Sequence, residues 1–155
     1  KVLFVLESPP DKSELRDFMY FYFTKHSNKY QPLYEETMKL MFKEFDRSKP
    51  KSEFLKKFQE KGFFIVDAAK CPVNKVAKKE RDKVVECCGK KHLVNVIKNL
   101  KPKKIIVIKS NVFRKIKPIL EENGIKVFND RPVPFPAFGN QVEFRREMKK
   151  YIEID

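Results

Sequence analysis

Five consecutive apolar residues, Val2 to Leu6, open the chain, and the polar pair Glu7-Ser8 and the prolines Pro9 and Pro10 follow at once. So short a run, rich in β-branched and aromatic types, predicts a strand covered on both faces, ended by the prolines. The pattern recurs twice. Phe63–Val66 ends on the acid Asp67, and Ile105–Ile108 is flanked by Lys103, Lys104 and Lys109. Val127-Phe128 predicts a short fourth strand.

Helical spacing fills the intervals. Asp11 or Ser13 caps a helix running to His26, and Pro32 suits the first turn of a second one, Leu33 to Phe45, with Met38, Met41, Phe42 and Phe45 in phase. From Ser52 a short helix turns Phe54, Leu55 and Phe58 inward and stops at Gly62. A long helical stretch from Glu80 to Leu100 is interrupted near Gly89, because glycine costs a helix about 1 kcal/mol. Ser110 or Asn111 begins another, kinked at Pro118 and ended by Gly124, and Asn140 caps the last one, through Ile152. Strands and helices alternate four times. The expected fold is an α/β domain spanning residues 1–155, a three-layer α/β/α sandwich with a short, mainly parallel, four-stranded sheet.

Charge narrows the partners. In 155 residues, 35 Lys plus Arg against 21 Asp plus Glu leave a net charge of +14, which favours polyanions, DNA first among them. A lysine- and glutamate-rich surface of the hyperthermophile kind accounts for many of these charges but poorly for their imbalance. No stretch approaches the roughly 18 to 20 continuous apolar residues of a membrane span, and no signal-peptide pattern opens the chain. A soluble, cytoplasmic monomer without a membrane partner is expected. Three cysteines, Cys71, Cys87 and Cys88, do not make a secreted disulfide scaffold.

Candidate chemistry sits where strands end. Open α/β sheets bind ligands in the crevice beyond the carboxyl ends of their strands, and Glu7 and Asp67 fall there. Each is also compatible with a plain polar strand end. The aromatic run Phe18, Tyr20, Phe21, Tyr22 and Phe23 reads as core, or, beside such a crevice, as a stacking platform for a base. The stretch Arg131–Gly139 carries three prolines in nine residues and predicts a stiff loop whose Phe135 and Phe138 either pack under the sheet edge or stand out as an apolar wedge against DNA.

Together these loops resemble the uracil-DNA glycosylase superfamily, most of all its iron–sulfur branch. Leu6-Glu7-Ser8-Pro9-Pro10 stands in place of a G-E-A-P-G motif, Val66-Asp67-Ala68-Ala69-Lys70-Cys71-Pro72 in place of a threonine-asparagine pair and a V-K-C-R-P-like run, Lys101–Val107 in place of a K-P-x-x-I-V-like strand entry, and Phe135–Asn140 in place of an H-P-S-P-like loop. The resemblance implies a single glycosylase-like domain that binds DNA and hydrolyses the N-glycosidic bond of a damaged or deaminated base. It makes Glu7 the catalytic residue and assigns base binding to Asp67, Tyr20 and Phe135. Lys70, Lys75, Lys109, Arg131, Phe138 and Asn140 are the residues expected to meet DNA. Asp67 replaces the family's asparagine and Phe135 its histidine, so uracil itself is expected to be a poor substrate: an ionised aspartate only accepts hydrogen bonds, and a donor to the growing charge is lost.

The resemblance also touches the cysteines. Cys71 and Cys87 match the two later ligands of the branch's cluster, but two thiolates alone do not hold four irons. The expectation is no metal and no cofactor, with the thiols as plain buried groups, unless two further ligands precede Lys1. Two other readings compete with a glycosylase. One is a non-catalytic nucleic-acid-binding relative that kept the fold. The other is a domain for a small phosphorylated ligand, which four glycines in all and the lack of a glycine-rich phosphate loop disfavour.

Overall fold

The computed structural model describes residues 1–11, 20–24, 29–73 and 75–152. Three strands, β1 (Val2–Leu6), β2 (Phe63–Asp67) and β3 (Lys104–Val107), form an all-parallel sheet in the order β2-β1-β3. The register sets Leu6 beside Asp67 and Val5 beside both Val66 and Val107. All five residues of β1 are buried, as expected of a central strand with both faces covered.

Alternation along β1 sorts its side chains into two cores. Val2, Phe4 and Leu6 face α1 (Pro32–Met41), α2 (Lys51–Glu60) and α6 (Gln141–Ile152), where Met38, Phe54, Phe58, Phe144 and Met148 are buried. Leu3 and Val5 face α3 (Lys78–Cys88), α4 (Val94–Leu100) and α5 (Ser110–Glu122), packing with Val85, Ile97, Ile116 and Leu120. The central Phe4 ring lies 6.0 Å from that of Phe58 and 5.8 Å from that of Phe63. Helices thus cover both faces. The connection after β1 runs over one face and the helix after β3 lies on the other, which opens a crevice at the carboxyl ends of these two neighbouring strands.

The expected fourth strand does not form. Val127 and Phe128 are irregular, and the outer edge of β3 is closed instead by the fully buried Asn129. Its side-chain amide accepts from the Val107 N–H at 2.9 Å and donates to the Val107 carbonyl at 3.0 Å, as a neighbouring strand would. One parallel bridge, Ile108 to Val133, is all the ladder that follows. The prolines at 132, 134 and 136 cannot donate to a longer one.

Two helical expectations also change. The helix expected from Ser13 to His26 lies largely outside the described residues, and 20–24 form a turn, with the Phe23 N–H on the Tyr20 carbonyl at 3.0 Å. From that turn the Tyr22 hydroxyl accepts the Ile65 N–H at 2.7 Å, on the edge of β2 away from β1. The long helix from Glu80 is α3 and α4 joined by one π-helical turn, Gly89–Leu93. A β-carbon at Gly89 would lie 2.6 Å from Ile116 Cδ1, so glycine permits the close approach of α5 there.

Candidate functional site

Beyond the carboxyl ends of the strands lies a cavity of about 680 Å³. Its walls include Glu7–Pro10 after β1, Asp67 at the end of β2, Lys109 after β3, and Phe135, Ala137 and Phe138 from the proline loop. Tyr20 and Tyr34 close another side, and Arg81 reaches in from the first turn of α3.

Glu7 is only 8 % exposed, and its burial explains its partners. Lys109 Nζ donates to Oε2 and Arg81 Nε stands 3.6 Å from Oε1. A buried carboxylate without such cations would carry a desolvation cost of several kcal/mol. Oε1 is itself buried and accepts no hydrogen bond from the described residues, with only the Arg81 cation nearby. The backbone fixes the position: the Glu7 carbonyl accepts the Ala69 N–H at 2.8 Å, continuing the β1–β2 pairing past Asp67.

Lys109 is held in an unusual conformation. Its φ of 79° and ψ of 128° lie outside the left-handed helical well and are costly for any residue with a β-carbon. Three backbone bonds impose them. The N–H of the preceding Ile108 donates to Val5 at 2.9 Å, the Lys109 N–H to Val133 at 2.7 Å, and the Lys109 carbonyl accepts from Phe113 at 2.9 Å, in the first turns of α5. The strand-to-helix turn so formed presents the amine to Glu7 across the crevice between β1 and β3.

Asp67 has a different environment. Burial raises its carboxyl to about pKa 6, against a weaker opposing pull from the Tyr20 hydroxyl, which donates to Oδ2 at 3.3 Å. Tyr20 in turn is pushed up to about 12, first by burial and then by the Asp67 charge. Around neutral pH the cavity therefore holds one paired carboxylate and one that takes up a proton in mildly acidic solution.

Comparison of the chain with protein-family models, curated proteins and solved structures found no match.

Of the residues singled out in the sequence, Glu7, Asp67, Tyr20, Phe135, Phe138 and Lys109 line this one cavity. The two phenylalanines divide the roles foreseen for the loop. Phe135 packs against the core, whereas Phe138 is 100 % exposed with φ of 53°. The remaining basic candidates lie away from the cavity walls. Lys70 is exposed, Lys75 pairs with Asp11 at 3.1 Å, and Arg131 pairs with Glu147 at 3.2 Å. Asn140 is exposed at the start of α6, its carbonyl accepting the Phe144 N–H at 2.8 Å.

The cysteines differ from expectation. Cys71, in the loop after β2, and Cys87, in the last turn of α3, are exposed, and Cys88 at the end of α3 is half-buried, so none is a buried thiol. Among the described residues no three His, Cys, Asp or Glu side chains group as a metal site, and no helix is long and apolar enough to cross a membrane. Sequence reasoning missed Arg81. Nothing in a charged first helical turn distinguishes it from Lys78, Lys79 or Lys83.

Proposed function

We propose that the protein binds DNA with the strand-end face and receives an unstacked base in the cavity bounded by Glu7, Asp67, Tyr20 and Phe135. The observation that carries this reading is the convergence of acid, aromatic and cationic side chains from distant stretches of the chain on one cavity, with a fully exposed phenylalanine at its rim. An exposed, preorganised aromatic wedge favours insertion into a base stack, and extruding a base requires a pocket beside it. The surplus of positive charge supplies attraction to phosphates without sequence preference.

In this reading the chemistry is hydrolysis of an N-glycosidic bond. Glu7 orients water or stabilises the cationic character that develops on the sugar. Asp67 reads the base edge as an acceptor when ionised and as a donor when protonated, which suits a purine or a modified pyrimidine better than uracil. A panel of duplex and single-stranded oligonucleotides bearing uracil, hypoxanthine, xanthine or oxidised bases, assayed for abasic sites, tests it. Glu7→Gln should remove any activity found while DNA affinity changes little.

One observation favours the non-catalytic relative as a second reading. Two cations bracket Glu7, Lys109 Nζ on Oε2 and Arg81 Nε 3.6 Å from Oε1, and such pairing also serves simply to hold a buried carboxylate in place. A wild type that binds DNA but leaves every base of the panel in place would select it.

A further inference from the structure

A lysine amine held in a strained turn against a carboxylate, within a cavity, is placed as a nucleophile toward a carbonyl carbon. The geometry points to Lys109 as a Schiff-base residue that acts on an aldehyde, namely the ring-opened deoxyribose of an abasic site. This rests on the DNA reading above for the source of the aldehyde, but not on any excision of bases.

Three features of Lys109 distinguish it from the many surface lysines. Its side chain lines the cavity, with 38 % of it left exposed. Its backbone, at φ 79° and ψ 128°, is fixed by three hydrogen bonds from β1, α5 and Val133. Its amine already donates to Glu7 Oε2, the nearest proton acceptor. A strand-to-helix turn that holds one residue strained at the top of a parallel sheet is the arrangement other α/β folds use to expose a nucleophile. Were Lys109 needed only to offset the Glu7 charge, a relaxed backbone would serve as well.

The steps balance without an oxidant or reductant. Glu7 takes a proton from the Lys109 ammonium, and the freed lone pair attacks C1′ of the aldehyde, forming the C–N bond. A proton moves from nitrogen to oxygen, giving a carbinolamine. Glu7 returns its proton to the hydroxyl, which leaves as water, and the nitrogen becomes a protonated imine. Glu7, a carboxylate again, removes a C2′ proton. The electron pair forms the C2′–C3′ double bond as the C3′–O bond breaks, expelling the 3′ phosphate. Water then hydrolyses the imine, returning the amine and releasing an unsaturated aldehyde.

Borohydride trapping tests this. The protein is mixed with an oligonucleotide carrying one aldehydic abasic site, reduced, and digested for peptide mapping, while anisotropy measures binding to the same oligonucleotide with a reduced, unreactive abasic site. The expected result is a covalent adduct on Lys109, with yield lowered at least about tenfold in Lys109→Arg, which keeps the charge but has no amine to condense. Glu7→Gln should slow trapping and leave affinity nearly unchanged. An adduct spread over surface lysines, or equal yield in Lys109→Arg, overturns the inference. Binding without any adduct overturns it too, and leaves the DNA reading standing. A second arm replaces DNA with 2-deoxyribose 5-phosphate. A Lys109 adduct there, with no DNA binding, upholds the nucleophile and shifts the source to a small sugar phosphate. Peptide mapping of the wild type keeps the test decisive even where a variant does not fold.

Discussion

Replacing Lys109 by glycine separates the two demands made of this position. The strained φ/ψ pair costs about 1 to 3 kcal/mol in a residue with a β-carbon. Glycine relieves it, but adds roughly 0.5 to 1 kcal/mol of unfolded-chain entropy. Lys109→Gly alone also strips Glu7, 8 % exposed, of its closest cation and leaves Arg81 Nε at 3.6 Å as the remaining partner. Breaking a buried pair costs about 3 to 5 kcal/mol. Arg81 and the half-exposed lysine reduce that, so the single variant should be about 1 to 3 kcal/mol less stable than wild type. Glu7→Gln removes the orphaned charge. The double variant Glu7→Gln/Lys109→Gly should then match or exceed wild type, by up to about 2 kcal/mol, with coupling between the sites as large as the penalty it cancels. Urea unfolding followed by far-ultraviolet circular dichroism measures this, since the chain contains no tryptophan. A double variant as unstable as Lys109→Gly would show that the turn stores no strain, and would remove the main reason to treat Lys109 as more than a counter-charge.

Asp67 makes a pH prediction. Its carboxyl is raised to about 6 in the folded protein by burial, against about 3.9 unfolded. The protonated form is therefore the better tolerated one: its contribution is fully present below about pH 4 and lost as pH rises through about 6. Asp67→Asn should flatten this window and add on the order of 2 kcal/mol at neutral pH, seen as a raised urea midpoint there and little change at pH 4. Phe138→Gly should leave stability unchanged or slightly higher, because φ of 53° suits glycine and the ring touches nothing buried, while DNA affinity falls severalfold in anisotropy titrations. Binding to duplex DNA should weaken with salt at a log-log slope of about −4, as for some four neutralised phosphates, and a slope near zero would remove nucleic acid as the partner. Gly89→Ala should destabilise by about 1 to 2 kcal/mol despite alanine's better helix propensity, since its methyl meets the fully buried Ile116.

Much of the fold was legible because its signals are local. Continuous apolar runs mark β1, β2 and β3, and Gly62 and Gly124, at φ of 81° and 73°, close their helices where sequence places them. The missing fourth strand was not legible. Val127-Phe128 has the composition of a strand, and only the tertiary position of Asn129 shows that a side chain takes the ladder's place. The site divides in the same way. Glu7 and Asp67 could be found because a polar residue directly after an apolar run falls at a strand end. By that logic Lys109 follows β3 as Glu7 follows β1, and its place in the cavity was readable. Its backbone strain was not, since lysine carries no sequence mark of positive φ. Arg81 and Tyr34 reach the cavity from helices, where no local pattern sets them apart.

Hydrogen exchange of the backbone amides, measured with and without a short duplex carrying one mismatched base, tests the central claim most directly. The account predicts protection confined to the carboxyl ends of the strands and their loops: Glu7–Ser8, Asp67–Ala69, Lys109 and Phe135–Gly139, proline positions aside. Protection at the opposite end of the sheet, around Gly62 and Lys103, or none at all at saturating DNA, would contradict it.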